Sequence, residues 1–364
     1  MTTQHIETLI IGAGQAGLST AYHLRRMDRP MLIVDRNARI GDNWRGHYDS
    51  LRLYTPAKYS GLPGLPFPAD PWYFPGKDDV ADYLEEYART FDLPVRTNTA
   101  VDRLSTDAAG RFVASLGADT LTCDNVVVAT GTFGRSPNVP EFADQLAPGI
   151  RQLHSSQYRG PHQLDDGPVL VVGASHSGTD IAYELAADRT TMLVGRDCGQ
   201  IPVRWDSPAL HLVLPVLRFV WRHVLTRRTP MGRKEMAAVR AHGGPMIRVK
   251  RSDLADRGVR RLTTRIAGVR NGLPVAADGS VLDVRNVIWC TGFRQKFDWI
   301  DLPVLDQDGW PEEYRGVVRN QPGLYFCGLS FQFSFGSMLF FGVGRDAEYV
   351  ARRVAERSGI RQVA

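Results

Sequence analysis

The chain has 364 residues, 43% of them hydrophobic, which is ample for a core and for two domains or one with an insertion. Lys and Arg outnumber Asp and Glu by 44 to 39, an excess that suits anionic cofactors. No basic run is interleaved with aromatics, which argues against a nucleic-acid partner. The four cysteines (Cys123, Cys198, Cys290, Cys327) lie far apart with no C-x-x-C, which argues against a disulfide framework, a metal site or a closely spaced redox dithiol and fits a reducing cytoplasm.

The N-terminus, Met1 to His5, is short and polar and lacks the pattern of a signal or transit segment. An apolar, β-branched run, Thr8-Leu9-Ile10-Ile11, predicts a strand. It turns through Gly12-Ala13-Gly14-Gln15-Ala16-Gly17 into a helix over Leu18 to Met27, and a second strand, Met31 to Val34, ends on Asp35. This is a β-α-β unit with a G-x-G-x-x-G turn and an acid about 20 residues on, the dinucleotide fingerprint. Gly12 makes a turn that a side chain would obstruct. Gly14 lets backbone approach a pyrophosphate seated on the helix N-terminus, and Gly17 lets helix and strand pack closely. Asp35 can accept hydrogen bonds from both hydroxyls of an adenosine ribose.

Gly41-Asp42-Asn43-Trp44-Arg45 and Tyr48 to Pro56 follow, then a Pro- and Gly-rich stretch, Ser60 to Pro68. So many prolines exclude a regular helix or central strand, and predict an extended loop wrapped over something, which in a dinucleotide domain could be the far end of the cofactor, with a plain connector as the alternative. Asp79 to Phe91 has helical periodicity through Val80, Tyr83, Leu84 and Tyr87. Val95, Val101, Leu104 and Arg111 to Leu116 suggest strands, and Val126 to Gly131 is a buried strand ending in an Ala-Thr-Gly turn that lets backbone pass close to a nucleotide.

Pro137 to Pro148 reads as linker. Val169 to Val172 then runs into Gly173-Ala174-Ser175-His176-Ser177-Gly178, a helix from about Thr179 to Ala187 and a strand Met192 to Val194, a second nucleotide unit whose middle glycine is Ser175. Gly195-Arg196 stands where the first unit has its acid. An arginine in place of an acid suits a 2′-phosphate, hence NADPH, with Arg227, Arg228 or Arg233 as other ways to reach it and a solvated surface side chain as the bland alternative for Arg196. Ala209 to Leu225 is apolar but interrupted by His211, Pro215, Arg218, Arg222 and His223. That argues against a membrane span and leaves a buried or lid helix, or a membrane-surface helix. Val287 to Phe293 repeats the Ala-Thr-Gly theme and marks a return to the first domain. Leu324 to Gly328 is a last strand, and Phe331 to Gly336 leads to an amphipathic helix over about Gly344 to Arg357.

The ordered set Gly12-x-Gly14-x-x-Gly17, Gly41-x-x-Trp44-Arg45, Tyr48-x-Ser50-Leu51-Arg52-Leu53-x-Thr55-Pro56, Ala129-Thr130-Gly131, His154-Ser155-Ser156-x-Tyr158, the second nucleotide turn and Cys290-Thr291-Gly292-Phe293 resembles the class B flavin-containing monooxygenases over essentially the whole chain. The short bacterial members and the auxin-forming YUCCA enzymes are the most similar. The resemblance implies an α/β protein with two Rossmann-like dinucleotide-binding domains. An FAD domain (1–145 and 290–364) would carry an inserted NADPH domain (165–289, with a helical insertion about 205–250) through a linker (146–164). It also implies FAD and NADPH as cofactors, and oxygenation of a small organic substrate by molecular oxygen through a flavin C4a-(hydro)peroxide. The chemistry would be N- or S-oxygenation, or oxidative decarboxylation of a 2-oxo acid. Tyr158 is followed by Arg159-Gly160 and not by the tryptophan of Baeyer–Villiger members. Tyr54-Thr55 stands where amine- and sulfide-oxidising members place an asparagine.

The implied FAD contacts are Gly12, Gly14, Gln15, Ala16, Gly17, Asp35, Arg36, Asn43, Trp44, Leu51, Thr55, Val101, Gly131, Gly328 and Gln332. The implied NADPH contacts are Gly173, Ser175, His176, Ser177, Gly178, Arg196 and Thr291. His154 either contacts a cofactor or holds the domain hinge through backbone hydrogen bonds. No side chain stands out as an acid–base catalyst. A substrate pocket is expected among Leu51 to Phe74, Trp205 to Met246 and Phe331 to Phe341. A reductase passing electrons to a quinone or protein, and a flavin-based redox sensor, are the competing functions. Oligomeric state is open.

Overall fold

The computed structural model describes residues 3–131, 136–241 and 243–363. Met1 and Thr2 of the polar N-terminal stretch lie outside them. Strand β1 (Thr3–Ile11) leads through the first glycine turn into helix α1 (Gln15–Arg25) and strand β2 (Met31–Val34). A four-residue helix α2 (Asp42–Arg45), helix α3 (Lys77–Thr90) and strands β3 (Val95–Arg96), β4 (Arg103–Thr106), β5 (Phe112–Leu116), β6 (Asp119–Val128) and β7 (Ser136–Pro137) follow. β1 starts earlier than its apolar run because the long β6 pairs with it from Thr3↔Thr120 to Ile11↔Val128. α1 starts at Gln15, immediately after the turn, with Gly14 as its extended N-cap.

The proline-rich loop wraps a helix. Leu62 N donates to Tyr83 Oη at 2.6 Å, while the hydroxyls of Tyr83 and Tyr87 donate to the carbonyls of Leu65 and Pro63 at 2.7 and 2.6 Å. The tyrosines that gave α3 its apolar period thus satisfy the backbone of a segment that prolines keep out of any ladder. The loop is thus tied down on α3, a contact that neither sequence expectation named.

The second unit opens with strand β8 (Arg151–His154), then strand β9 (Val169–Val172), helix α4 (His176–Leu185) and strand β10 (Thr191–Val194). Helix α5 (Leu210–Phe219) continues into a π-helical turn over Val220–Val224. Helices α6 (Pro230–Ala241) and α7 (Arg251–Asp256), strand β11 (Arg260–Leu262), a hairpin of β12 (Ile266–Arg270) with β13 (Leu273–Ala276), and β14 (Asn286–Trp289) complete it. The sheet order is β11-β10-β9-β14-β8, all parallel. β9, β10 and β14 are buried along their whole length, which is why they read as unbroken apolar runs. The stretch 146–164, expected as linker, supplies the edge strand β8, paired from Asn286↔Arg151 to Trp289↔His154.

The chain returns through β15 (Phe293–Arg294), antiparallel to β7, so its two crossings between sheets run side by side. Strands β16 (Glu313–Tyr314), β17 (Val317–Val318) and β18 (Leu324–Phe326) and helix α8 (Phe340–Val363) close the first unit. Its sheet runs β16-β17-β18-β6-β1-β2-β3, with the β4–β5 hairpin attached to β6. One face is covered by α1, α3 and α8 around Ile10, Leu18, Tyr87 and Val350. The other packs Leu9, Phe112, Phe297 and Phe326 beneath the β4–β5 hairpin. No helix among the described residues is long and apolar enough to cross a membrane.

Candidate functional site

The carboxyl ends of β1, β6 and β18 meet at one edge of the large sheet, the crevice where open α/β sheets bind ligands. Ala129 N donates to Ile11 O at 2.8 Å and Cys327 N to Val128 O at 3.0 Å, so Gly12, Gly131 and Gly328 open from adjacent strands. A Cβ on Gly12 would stand 2.6 Å from the Ala129 carbonyl oxygen, and one on Gly17 only 1.9 Å from the Gly12 carbonyl oxygen. Only glycine allows this packing. Among the described residues a Cβ on Gly14 or Gly131 meets nothing within 4 Å, and α1 has no side-chain cap on its first N–H groups. A phosphate fits there, and the residues suit FAD.

Asp35 is held in place: Oδ2 accepts from Ala13 N at 2.7 Å and Oδ1 from Asn37 N at 2.8 Å, leaving a second lone pair on each oxygen for a ribose. Thr99 N donates to Asp35 O at 2.8 Å, which draws the segment bearing Val101 alongside, while the Arg36 and Asn43 side chains are exposed beside this turn and at α2. Gln15 and Ala16 begin α1, and Trp44 stacks at a tilt on Phe340 at the start of α8, 5.9 Å between centroids.

Three expected FAD contacts point elsewhere. The Gln332 carbonyl group of the side chain accepts from Leu329 N at 3.3 Å, and its amide nitrogen fills the space a side chain on Gly316 would take; it locks its own turn. Thr55 is buried against Ser60, with their hydroxyls 3.0 Å apart, and Leu51 packs onto the core of the second unit. Apolar burial and a local hydroxyl pair outcompete an open crevice for these side chains.

The second turn repeats the first. A Cβ on Gly173 would lie 2.2 Å from Cys290 O, and one on Gly178 1.7 Å from Gly173 O; α4 likewise lacks a side-chain cap. The departure at Ser175 has a structural counterpart, because its hydroxyl donates to Gly244 O at 2.9 Å and ties the loop after α6 across the turn. His176 faces the same loop. Burial pushes its pKa down to about 4, and its Nε2 has no hydrogen-bond partner. Ser177 and Gly178 lie in the first turn of α4, so a pyrophosphate fits the helix end once that loop yields. Ser175→Gly removes the tether and frees space together, and is expected to lower KM for NADPH about fivefold, the worth of one ordinary hydrogen bond, in steady-state assays.

Arg196 is exposed just past β10. Beneath it the Arg261 guanidinium donates to the carbonyls of Leu193, Gly195 and Leu262 at 2.9, 2.6 and 2.6 Å, fixing the strand end. Arg261 was not singled out from the sequence, where it is one of two adjacent arginines with no informative spacing. Arg227, Arg228 and Arg233, the sequence's other routes to a 2′-phosphate, are engaged elsewhere. Arg227 pairs with buried Glu313 at 2.5 Å, Arg228 lies over Phe333, and Arg233 donates to Arg228 O.

Between the two turns, the strand-to-strand crossing is stitched by backbone. Thr291 Oγ1 donates to Asn138 O, Asn138 N to Gly292 O at 2.9 Å, and His154 Nε2 to Gly292 O at 3.0 Å. His154 Nδ1 is then an acceptor, facing Ser156 Oγ at 2.9 Å. Of the two expectations for His154, the hinge contact is the one observed, and Thr291 shares it.

Beside the hinge lies a buried polar cluster. Asp180, in α4 and 1% exposed, accepts from Tyr54 Oη at 3.2 Å and Tyr48 Oη at 3.4 Å on Oδ2, and pairs with the Arg248 guanidinium at 3.2 Å. Arg248 also donates to Ser50 O at 3.3 Å, and Tyr54 lies against the His176 ring at 5.0 Å. Burial raises the Asp180 pKa and the neighbouring guanidinium opposes that shift; burial raises both phenols. Next to it Tyr54, Tyr59, Trp72, Phe74, Trp205, Trp221 and Phe341 pack with Leu210 and Leu214 of α5 into an aromatic cluster. All three stretches expected to bound a pocket contribute to it.

Residues 9–209 match the family described as pyridine nucleotide-disulphide oxidoreductase. Over 350 residues, 95% of this chain and 98% of the relative, the sequence is 39% identical to an uncharacterized CzcO-like oxidoreductase of Geobacillus kaustophilus. It is 28% identical to a probable indole-3-pyruvate monooxygenase of Arabidopsis thaliana, covering 88% of this chain and 82% of that one. The structure of a flavin-containing monooxygenase from Stenotrophomonas maltophilia superposes with a TM-score of 0.76 at 25% identity, covering 98% and 99% of the two chains. With its two nucleotide turns, the chain belongs to the pyridine nucleotide-disulphide oxidoreductases and, within them, to the class B flavin monooxygenases.

Proposed function

We propose that the chain is an NADPH- and FAD-dependent monooxygenase that inserts one oxygen atom of O2 into a small, largely apolar organic substrate in the cytoplasm, by N- or S-oxygenation or by oxidative decarboxylation of a 2-oxo acid. The observation that carries this reading is the pair of uncapped nucleotide turns, the second of them in contact through His176 with Tyr54 of the aromatic cluster, which we read as the wall of the substrate chamber. Reduced FAD, when bound, supplies the activation of O2.

The protein's part is to bind, orient and keep dry. The first N–H groups of α1 hold the FAD pyrophosphate and Asp35 the adenosine ribose; α4 and Arg196 hold NADPH. The Asp180 cluster fixes α4 against the Tyr48–Tyr54 segment, which sets how one nucleotide faces the other. The chamber walls exclude water, and this favours transfer of oxygen over release of peroxide. The likeness to an indole-3-pyruvate monooxygenase supports testing an aromatic 2-oxo acid first, followed by sulfides and amines.

The test is turnover under ¹⁸O2 with NADPH. The label is expected in product, with little peroxide formed. NADPH oxidation that yields only peroxide with every substrate, but fast reduction of quinones, would replace this reading with a reductase; tight FAD without turnover would make it a sensor. Arg196→Asp is expected to lower the NADPH over NADH preference in kcat/KM roughly tenfold to a hundredfold, since it removes charged hydrogen bonds to the 2′-phosphate and adds repulsion. An unchanged preference would assign the phosphate to another group.

A further inference from the structure

Helix α5 is apolar on two opposite sides. Its inner side, Leu210 and Leu214, is buried and roofs the aromatic chamber. Its outer side presents Leu212, Val216 and Phe219, at i, i+4 and i+7, with 78%, 61% and 60% of their surface exposed, and Met231 in α6 is 61% exposed. A helix apolar on both sides ordinarily lies inside a core. Here the exposed large hydrophobics concentrate in one insertion, which is the mark of an interaction surface.

The charge of the same segment is one-sided. Between residues 207 and 234 stand Arg218, Arg222, Arg227, Arg228, Arg233 and Lys234, with no Asp or Glu. These six positive charges exceed the net charge of the whole chain, so the rest of the sequence is slightly acidic. Arg228, Arg233 and Lys234 are exposed, as are His211 and His223. A second copy of this chain docked by the same face would set basic segment against basic segment, because a twofold interface is self-complementary. A surface that is apolar below and anionic above meets both halves of the pattern.

We propose that the outer face of α5 and the start of α6 seat the protein on an anionic lipid bilayer, with Leu212, Val216, Phe219 and Met231 in the acyl boundary and Arg228, Arg233 and Lys234 among the headgroups. Together α5 and its π-helical turn span 15 residues and carry Pro215, Arg218 and Arg222, so the helix lies in the interface and does not cross. This docking is separate from the oxygenation chemistry. It places the chamber roof at the lipid, where apolar compounds partition.

The test is co-sedimentation of the FAD-loaded protein with vesicles of equal parts phosphatidylglycerol and phosphatidylcholine, and with vesicles of phosphatidylcholine alone. Binding to the anionic vesicles is expected to be roughly tenfold stronger and to fall with added salt. Leu212→Glu/Val216→Glu/Phe219→Glu is expected to lose binding roughly tenfold with FAD content and melting temperature unchanged. Arg233→Ser/Lys234→Ser, which leaves the apolar face intact, is expected to bind a few-fold less and with weaker salt dependence. Absence of binding to the anionic vesicles would overturn the proposal, as would wild-type binding by both variants. A dimer that the triple variant dissolves, with no lipid binding, would assign the face to a second copy.

Discussion

Replacing Asp180 by alanine is expected to destabilise the protein by about 3–5 kcal/mol and to slow flavin reduction by NADPH, the largest effect of any single change outside the glycine turns. The carboxylate is 1% exposed and is shared by Tyr48, Tyr54 and Arg248, so its loss leaves a half-buried guanidinium, held at the same time to Ser50 O, without its counter-charge. Two phenols lose their acceptor in the same step. Because the partners come from the Tyr48–Tyr54 segment, from α4 and from the segment after α6, the change also loosens how the two nucleotide turns face each other. Urea unfolding of the FAD-loaded protein and the anaerobic reduction rate are the measurements. A companion Asp180→Leu/Arg248→Met variant is expected to recover part of the stability, since no charge is left unpaired although the Tyr48 and Tyr54 hydroxyls still lack their acceptor, but not the reduction rate. If Asp180→Ala unfolded and reduced like the wild type, the cluster would have no role in joining the units.

Gly14→Ala is expected to give a folded protein that has lost most of its FAD, whereas Gly17→Ala is expected to disrupt the first unit itself. A methyl on Gly14 meets no protein atom but enters the space above the uncapped end of α1, where a pyrophosphate must come close to backbone. A methyl on Gly17 would lie 1.9 Å from the Gly12 carbonyl oxygen and 3.3 Å from the Ile10 side chain, so strand and helix must separate. Flavin absorbance per protein and the far-ultraviolet circular dichroism of each variant distinguish the two outcomes. Full flavin content in purified Gly14→Ala would move the FAD pyrophosphate away from this turn.

Both nucleotide units were legible in the sequence because Gly17 and Gly178 are fixed by carbonyls five residues back, Gly12 and Gly173 by close passage of a neighbouring strand end, and their strands by burial. The aromatic cluster was legible as three aromatic stretches because aromatics so concentrated must cover one another. Asp180 was not, since its partners lie 68 to 132 residues away and no spacing announces them. The edge strand β8 was hidden for a similar reason: Arg151–His154 has little apolar character and becomes a strand only because β14 offers an edge. The proline-rich loop carried a correct negative, neither helix nor central strand, but its cover was set by the hydroxyls of Tyr83 and Tyr87. For Gln332, Leu51 and Thr55 the sequence did not show the local packing that their side chains take up here.

The central claim is that this protein activates oxygen on a flavin reduced by NADPH, in a chamber that protects the result. It is tested most directly by reducing the FAD-loaded protein anaerobically with NADPH and mixing it rapidly with oxygenated buffer in a stopped-flow spectrometer. The account predicts a transient absorbing between reduced and oxidised flavin that lasts seconds or longer while NADP⁺ stays bound and decays faster when substrate is present. Direct return to oxidised flavin, with stoichiometric peroxide and no transient at any substrate or NADP⁺ concentration, would contradict it.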